Sequence, residues 1–237
     1  MIRLSVNINK IALIRNSRGG NIPNILKVAL DCESFGAEGI TVHPRPDERH
    51  IRYQDVRDLR KMIKTELNVE GYPSQKFLQL VTEVRPDQVT LVPDPPEALT
   101  SSTGWDTRKN KEFLKKIISQ LKKESIRTSI FIGTEKEMVE YAAETKTDRI
   151  EFYTEPYALK YPENKADAVG PFIDASILAT QAGLGINAGH DLNLENLGYF
   201  AQNIPNLLEV SIGHALVSDS LYYGLENTIQ MYRRLLI

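Results

Sequence analysis

The chain is poor in cysteine and tryptophan, with one of each, and has only four histidines among 237 residues. A lone cysteine excludes an intramolecular disulfide and any cysteine-rich zinc site. Cys32 shares a helical face with Val28 and Ala29, which makes it a buried structural thiol rather than a nucleophile. No charge of one sign prevails: 29 Lys and Arg face 31 Asp and Glu, a net −2. This argues against an electrostatic grip on nucleic acid or an anionic membrane, although a local basic pocket can still hold a phosphate. No apolar run is long enough to span a bilayer, and the opening MIRLSVNINK is too short and too polar for a signal peptide. A cytosolic protein is expected.

What is present is alternation. β-Rich runs occur at 3–8, 39–43, 67–72, 88–92, 127–133, 149–154, 184–189 and 207–213. Helix-period stretches lie between them, among them 25–32, 110–124 and 135–146, and a last helix is expected over 220–236. Eight strand–helix units in a chain of this length are the pattern of a (β/α)8 TIM barrel, here with additional helices. An open doubly wound sheet is the rival, but its usual G-x-G-x-x-G fingerprint is absent. Nothing in the composition splits the chain, so one domain over 1–237 is expected. Two connections exceed what a tight turn needs, 93–110 after the fourth strand and 155–170 after the sixth. Both are read as loops on the strand-C-terminal side, where barrel active sites form.

Polar residues at barrel strand ends converge on one mouth, however distant in sequence. In order these are Asn7 and Asn9, His43, Glu70, Thr100 just beyond strand four, Glu151, His190 and His214. Three of the four histidines fall at strand ends, and His50 follows His43 in the same loop. A single histidine at a strand end is usually structural; four on one face point to a site. Glu70, in a buried run, is either an ion-pair member or a carboxyl whose raised pKa suits a base. Glu151 points into the barrel or away from it, and the pattern does not choose. Histidine and glutamate together supply proton transfer near neutral pH. No nucleophile elbow and no His-Glu-x-x-His is present. A metal site built from His43, His190 and Glu70 is a weak alternative, and no metal or organic cofactor is called for.

The loops after strands seven and eight, AGHDL (188–192) and IGHALVSDS (212–220), both carry Gly-His. Glycine lets the backbone approach a ligand, and barrels often hold phosphate in these two loops. Ser218 and Asp219 are candidates to cap the helix that follows. A second anionic grip is offered by RNSRGG (15–20) and HPRPDERH (43–50), with Arg18 and Arg45 on the mouth side. The residues alone reach a barrel enzyme acting on small phosphorylated molecules by acid–base chemistry.

VNINKIALIRNSRGG, GITVHPRPDERHI, LNVEG, IEFYTEPYA, GINAGHDL and VSIGHALVSDSLYYGL resemble, in order and spacing, the pyridoxine 5′-phosphate synthase family. The likeness runs from Arg3 to near the C-terminus. It implies ring closure between 3-amino-1-hydroxyacetone 1-phosphate and 1-deoxy-D-xylulose 5-phosphate, with loss of phosphate and water. It implies His43 and Glu70 as proton acceptors, His190 as proton donor and Glu151 as transition-state stabiliser. Asn7, Arg18, Gly213 and His214 match positions that bind the aminoketone phosphate; Arg45, His50 and Thr100 match those that bind deoxyxylulose phosphate. The resemblance also implies a homo-oligomer, an octamer. A loop closing over the site would keep water from reactive intermediates, and 93–110, with Pro93, Pro95, Pro96 and Gly104, is the expected lid, with Trp105 at its tip.

Three positions depart from the family pattern. Many members read Asn-Ile-Asp-His where this chain has Asn7-Ile8-Asn9-Lys10, and the residue after His190, commonly glycine, is Asp191. Asn9 and Lys10 are expected to keep substrate contacts with altered affinity, and Asp191 to offer only its backbone N–H. Two other readings stay open: a Schiff-base aldolase using Lys10, and a silent phosphate-ligand sensor. The sensor has no need of His43, Glu70 and His190 together.

Overall fold

Runs rich in Val, Ile and Thr form the strands, because branched side chains suit a pleated surface covered on its outer face. The computed structural model describes residues 1–93 and 103–237. In its first half, β1 (Arg3–Asn7), α1 (Asn9–Asn16) and α2 (Ile25–Ser34) precede β2 (Gly39–Val42) and α3 (Tyr53–Met62). Then come β3 (Glu66–Gly71), α4 (Gln75–Val84), β4 (Gln88–Leu91) and α5 (Lys111–Lys123). The second half runs β5 (Arg127–Ile132), α6 (Lys136–Glu144), β6 (Arg149–Tyr153), α7 (Glu155–Lys160) and α8 (Lys165–Gln181). It ends with β7 (Gly185–Gly189), α9 (Leu197–Asn203), β8 (Leu207–Ile212), α10 (His214–Tyr223) and α11 (Leu225–Arg234).

All neighbouring strands pair in parallel and the sheet closes on itself, β1 meeting β8 from Arg3↔Glu209 to Val6↔Ile212. This is the expected (β/α)8 barrel. Its apolar core lies outside the sheet. Leu4, Ile40, Val69, Ile130, Phe152 and Val210 are fully buried there, against helix faces such as Leu114, Ile118 and Leu121 of α5. Cys32 is buried in this layer as expected, and burial pushes its thiol up to about 12, so it stays protonated and inert.

The inner face is polar, where bulky branched residues usually dominate a barrel of this kind. Thr90 Oγ1 donates to Asn68 Oδ1 at 3.1 Å and lies 3.3 Å from Glu151 Oε2. Strands β4 and β6 are not neighbours, so the second contact crosses the interior and fixes Glu151 as inward-pointing. Ser5 and Thr41 hydroxyls join the same layer at 2.7 Å. Below it, at the strand N-termini, Glu66 receives both Arg3 and Arg127. Glu209 lies 3.5 Å from Arg3 and 3.6 Å from Arg149. The barrel floor is thus an ionic net tying β1, β3, β5, β6 and β8.

Two expectations about elements are corrected. The 155–170 stretch is not a loop: it forms α7 and the start of α8. Its length, beyond what a tight connection needs, suggested a loop. Yet Pro156 sits in the first turn of α7, where its missing N–H costs nothing, and Asn164 caps α8 by accepting from Ala166 N and Asp167 N. An aromatic cluster holds these helices, with the Tyr157 ring 4.9 Å from Phe200 and 6.0 Å from Phe172. The expected last helix over 220–236 is two helices broken at Gly224, whose φ of 76° no helix accommodates. Ser218 and Asp219 accordingly lie inside α10 rather than at a cap. Ser218 Oγ donates back to His214 O, and Asp219 accepts from Tyr232 Oη at 2.7 Å.

The ionic floor has a pH signature. Burial alone would raise the Glu66 pKa, but the hydrogen bond and charge of Arg127 and the charge of Arg3 outweigh it and hold the carboxyl below its ordinary 4.5. Because the folded value is the lower one, this stabilisation is complete above about 4.5 and is lost as pH falls further, through the folded value. In urea unfolding, Glu66→Gln is expected to be less stable than the wild type by on the order of 1 kcal/mol at pH 7. The gap should close on acidification; a gap independent of pH would contradict the linkage.

Candidate active site

The mouth is assembled at the strand C-termini, beginning with the Asn-Ile-Asn turn between β1 and α1. Asn7 Oδ1 accepts the Asn9 N–H at 3.1 Å, and Asn9 Oδ1 accepts the His43 N–H at 2.9 Å. Asn9 therefore positions His43, which directly follows β2, instead of leaving its carbonyl for a ligand. Lys10 is exposed on the first turn of α1. His43 Nδ1 lies 3.9 Å from Glu70 Oε2 on β3. The His43 and His50 rings meet edge to face at 6.0 Å.

The segment carrying His43, Arg45 and His50 is clamped from below by α1. Arg15, expected as part of an anion grip, is instead buried and structural. Its guanidinium binds both oxygens of Asp55 at 2.6 and 2.8 Å and donates to His50 O at 3.1 Å. Asn16 Nδ2 donates to Arg49 O and His50 O at 3.0 and 2.8 Å. Arg18 stands apart, exposed beyond α1, with its backbone N–H turned to Arg15 O. Arg45 is buried beside His43. Thr100 lies outside the described residues, as does the centre of the expected lid. Of that stretch, Trp105 is no tip: it is buried, donates from Nε1 to Leu91 O at 3.0 Å and stacks on Tyr72. Gly104 is required beside it, since a Cβ there would lie 2.5 Å from the backbone of Ile132 and Gly133.

Across the mouth, β7 ends at Gly189 and His190. A Cβ on Gly189 would sit 2.4 Å from Ser211 O and 3.2 Å from Glu151 Oε1, so only glycine lets the strand end pass the carboxyl. Gly213 has the same role at β8, where a Cβ would press within 3.1 Å of the Asn7 side chain. His214 then opens α10, presenting that helix's N-terminus toward the same rim. The backbone N–H of Asp191, expected to face ligand, already donates to Gly189 O and, at 3.3 Å, to Thr154 Oγ1. Thr154, Tyr153 and Arg15 shape the site without having stood out in the sequence. Tyr153 faces the His190 ring at 6.1 Å and donates to Glu155.

The two sides differ in protonation. Burial, with the charges of Arg45, His50 and Arg49, drives the His43 pKa well below its usual value. Burial and the same arginines lower His50 to about 4, and its Nδ1 accepts the Ile51 N–H at 2.9 Å, so the ring is neutral. Glu151 is pushed up to about 7 by burial and by the charge of Glu209, against the opposing pull of Thr90 and His190. Burial works against a charge on His190, but Asp191, Glu151 and Glu155 outweigh it and raise its pKa. Burial and the arginines thus disfavour a charge on His43 and His50, whereas the carboxylates around His190 favour one. Among the described residues, no group of three His, Cys, Asp or Glu is placed to hold a metal ion, and no helix is long and apolar enough to cross a membrane.

A closed (β/α)8 barrel with acids and bases gathered at its strand C-termini is the architecture of a barrel enzyme. Solved barrels share the fold alone: phosphoribosyl anthranilate isomerase from Thermotoga maritima superposes with a TM-score of 0.60 at 16% identity, covering 100% of this chain and 98% of that one. The isomerase from Pyrococcus furiosus gives 0.61 at 10%, with 100% and 98% covered. The particular family is given by sequence. Residues 4–237 match the model of the pyridoxal phosphate biosynthesis protein PdxJ. Pyridoxine 5′-phosphate synthase of Bacteroides fragilis is 61% identical over 236 residues, covering 100% of both chains. That of Cytophaga hutchinsonii is 62% identical over 234 residues, covering 99% of this chain and 98% of its own. The chain belongs to the PdxJ family, enzymes of vitamin B6 biosynthesis.

The clamp below the mouth is testable. Asp55→Ala strands the buried Arg15 without its partner, which costs about 3 kcal/mol. Urea unfolding should report that loss, and amide exchange should show faster opening over residues 48–52 than elsewhere. Uniform exchange would refute the clamp.

Proposed function

We propose that the chain joins 3-amino-1-hydroxyacetone 1-phosphate to 1-deoxy-D-xylulose 5-phosphate, forming pyridoxine 5′-phosphate with release of phosphate and water. The observation that carries the reading, within the family, is geometric: His43 stands 3.9 Å from Glu70 at the strand C-termini, on a mouth that also holds His190 and the inward-pointing Glu151. Ring closure requires forming carbon–nitrogen and carbon–carbon bonds, eliminating phosphate, losing water and aromatising. Each step moves a proton, so several placed acids and bases serve it better than one strong nucleophile. Neutral His43, with Glu70 beside it, takes protons from the condensing carbons. Cationic His190 gives a proton to a departing oxygen. Glu151, poised near 7, stabilises charge that develops between them.

The phosphates are assigned to two rims. Gly213, His214, Asn7 and Arg18 serve the aminoketone phosphate, where α10 begins. Buried Arg45, with His50 and Thr100, serves deoxyxylulose phosphate. A homo-oligomer in the cytosol is part of the same reading, supported by exposed Leu221, Tyr222 and Ile22 on the outer surface. Nothing about Lys10 favours a Schiff base, since it stands in water on a helix. Borohydride with either substrate should leave it unmodified.

Mixing protein with both substrates should yield pyridoxine 5′-phosphate and inorganic phosphate in equal amounts by mass spectrometry; binding without either product would refute the proposal. His43→Asn, Glu70→Gln, His190→Asn and Glu151→Gln should each lower kcat by about 100-fold or more while the circular dichroism spectrum stays unchanged.

A further inference from the structure

His190 occupies a conformation that side chains rarely adopt, with φ of 70°. The turn around it is pinned. Asp191 N donates to Gly189 O at 3.1 Å, and Asp191 O accepts from Asn196 Nδ2 at 3.2 Å. Asn196 is buried and also accepts the Asn193 N–H at 2.8 Å. Thr154, buried behind the turn, bonds Gly189 O and receives Asp191 N. The result is a carboxylate aimed along the ring, with His190 Nδ1 2.7 Å from Asp191 Oδ2.

We propose that Asp191 is a positioning residue that locks the His190 ring through Nδ1 and keeps it as imidazolium, leaving Nε2–H as the proton to be donated. The role in turnover rests on the ring-closing reading above; the pairing itself does not. Once Nε2–H has been delivered to a leaving oxygen, the neutral ring retains Nδ1–H toward the carboxylate, and Nε2 recovers its proton from solvent. The carboxylate thereby fixes the tautomer before and after transfer.

Among the described residues, the following titratable groups face the ring. Glu151 on β6 and Glu155 on α7 also favour the cation, while His43, directly after β2, is kept from charging by burial. Tyr153 on β6 meets the ring at its edge and carries no charge at neutral pH, its pKa being raised by burial and Glu155. Asp191 is the one of these groups in direct hydrogen-bonding contact with Nδ1. Both partners retain about a third of their side-chain exposure, 38% and 31%, so water weakens the pair without removing it.

The test is a pH titration of protein labelled with 15N-histidine, the His190 resonance being assigned by its loss in His190→Gln. Asp191→Asn and Asp191→Gly are expected to move its midpoint to lower pH, and Asp191→Glu to restore part of the shift. Since the donor must be charged, kcat falls as pH rises through its pKa. The basic limb in Asp191→Asn should therefore move down in pH, with the rate at the alkaline end about threefold or more below wild type. KM should change less than kcat. An unmoved midpoint in both Asp191→Asn and Asp191→Gly, with melting unchanged, overturns the pairing. A moved midpoint in a protein that makes no pyridoxine 5′-phosphate sustains the pairing and overturns the ring-closing reading. Product formation with midpoint and basic limb both unmoved does the reverse.

Discussion

The barrel is built around charges that cannot be left alone. Glu66 lies at the strand N-termini between Arg3 and Arg127, and Glu209 lies near Arg3 and Arg149. Removing a charge from water costs several kcal/mol unless a partner meets it. At the strand N-termini, the inward-facing residues of five strands are therefore ion-paired rather than interdigitating aliphatic side chains. Most apolar strand residues are left to the outer face, where the helices cover them, while Phe131 and Tyr153 pack together in a separate cluster with Val92. With the inner face polar, Glu151 can stand in the middle layer on a hydroxyl of β4.

At the mouth, the same fold sets its histidines apart by environment alone. His43 and His50 share a buried strip with Arg45 and are kept uncharged. His190 faces carboxylates and water. Both sides are ordinary histidines, and what differs is the set of neighbours that each loop delivers. The loops are held in turn by polar side chains of low catalytic promise: Asn9 and Arg15 on one side, Thr154 and Asn196 on the other.

The strands were legible because β-branched runs bounded by Gly, Asn and Asp are a local signal, and each lies within a residue or so of its expected place. The convergence of His43, Glu70, Glu151, His190 and His214 followed from the fold class, since barrel strand ends share one rim. Other features depend on contacts that no local pattern carries. The inward turn of Glu151 is set by a hydroxyl from a non-adjacent strand. The 155–170 stretch was read as a loop from its length alone, which does not distinguish a loop from added helices. Trp105 looked exposed in a polar stretch but is buried against Leu91 and Tyr72. Arg15 and Arg18 look alike in sequence; Asp55, forty residues on from Arg15, is what separates a buried clamp from a free cation.

The ionic floor also bears on the order in which the chain can be finished. Arg3 belongs to the first strand and Glu209 to the last, so the net joins residues made at opposite ends of synthesis. A nascent chain that has emerged only through β7 has Arg149 in place without Glu209, and β1 has no partner on its outer edge. Such contacts between distant parts of the sequence form late in folding. The floor and the seam of the barrel are therefore completed together, when the eighth strand joins the first.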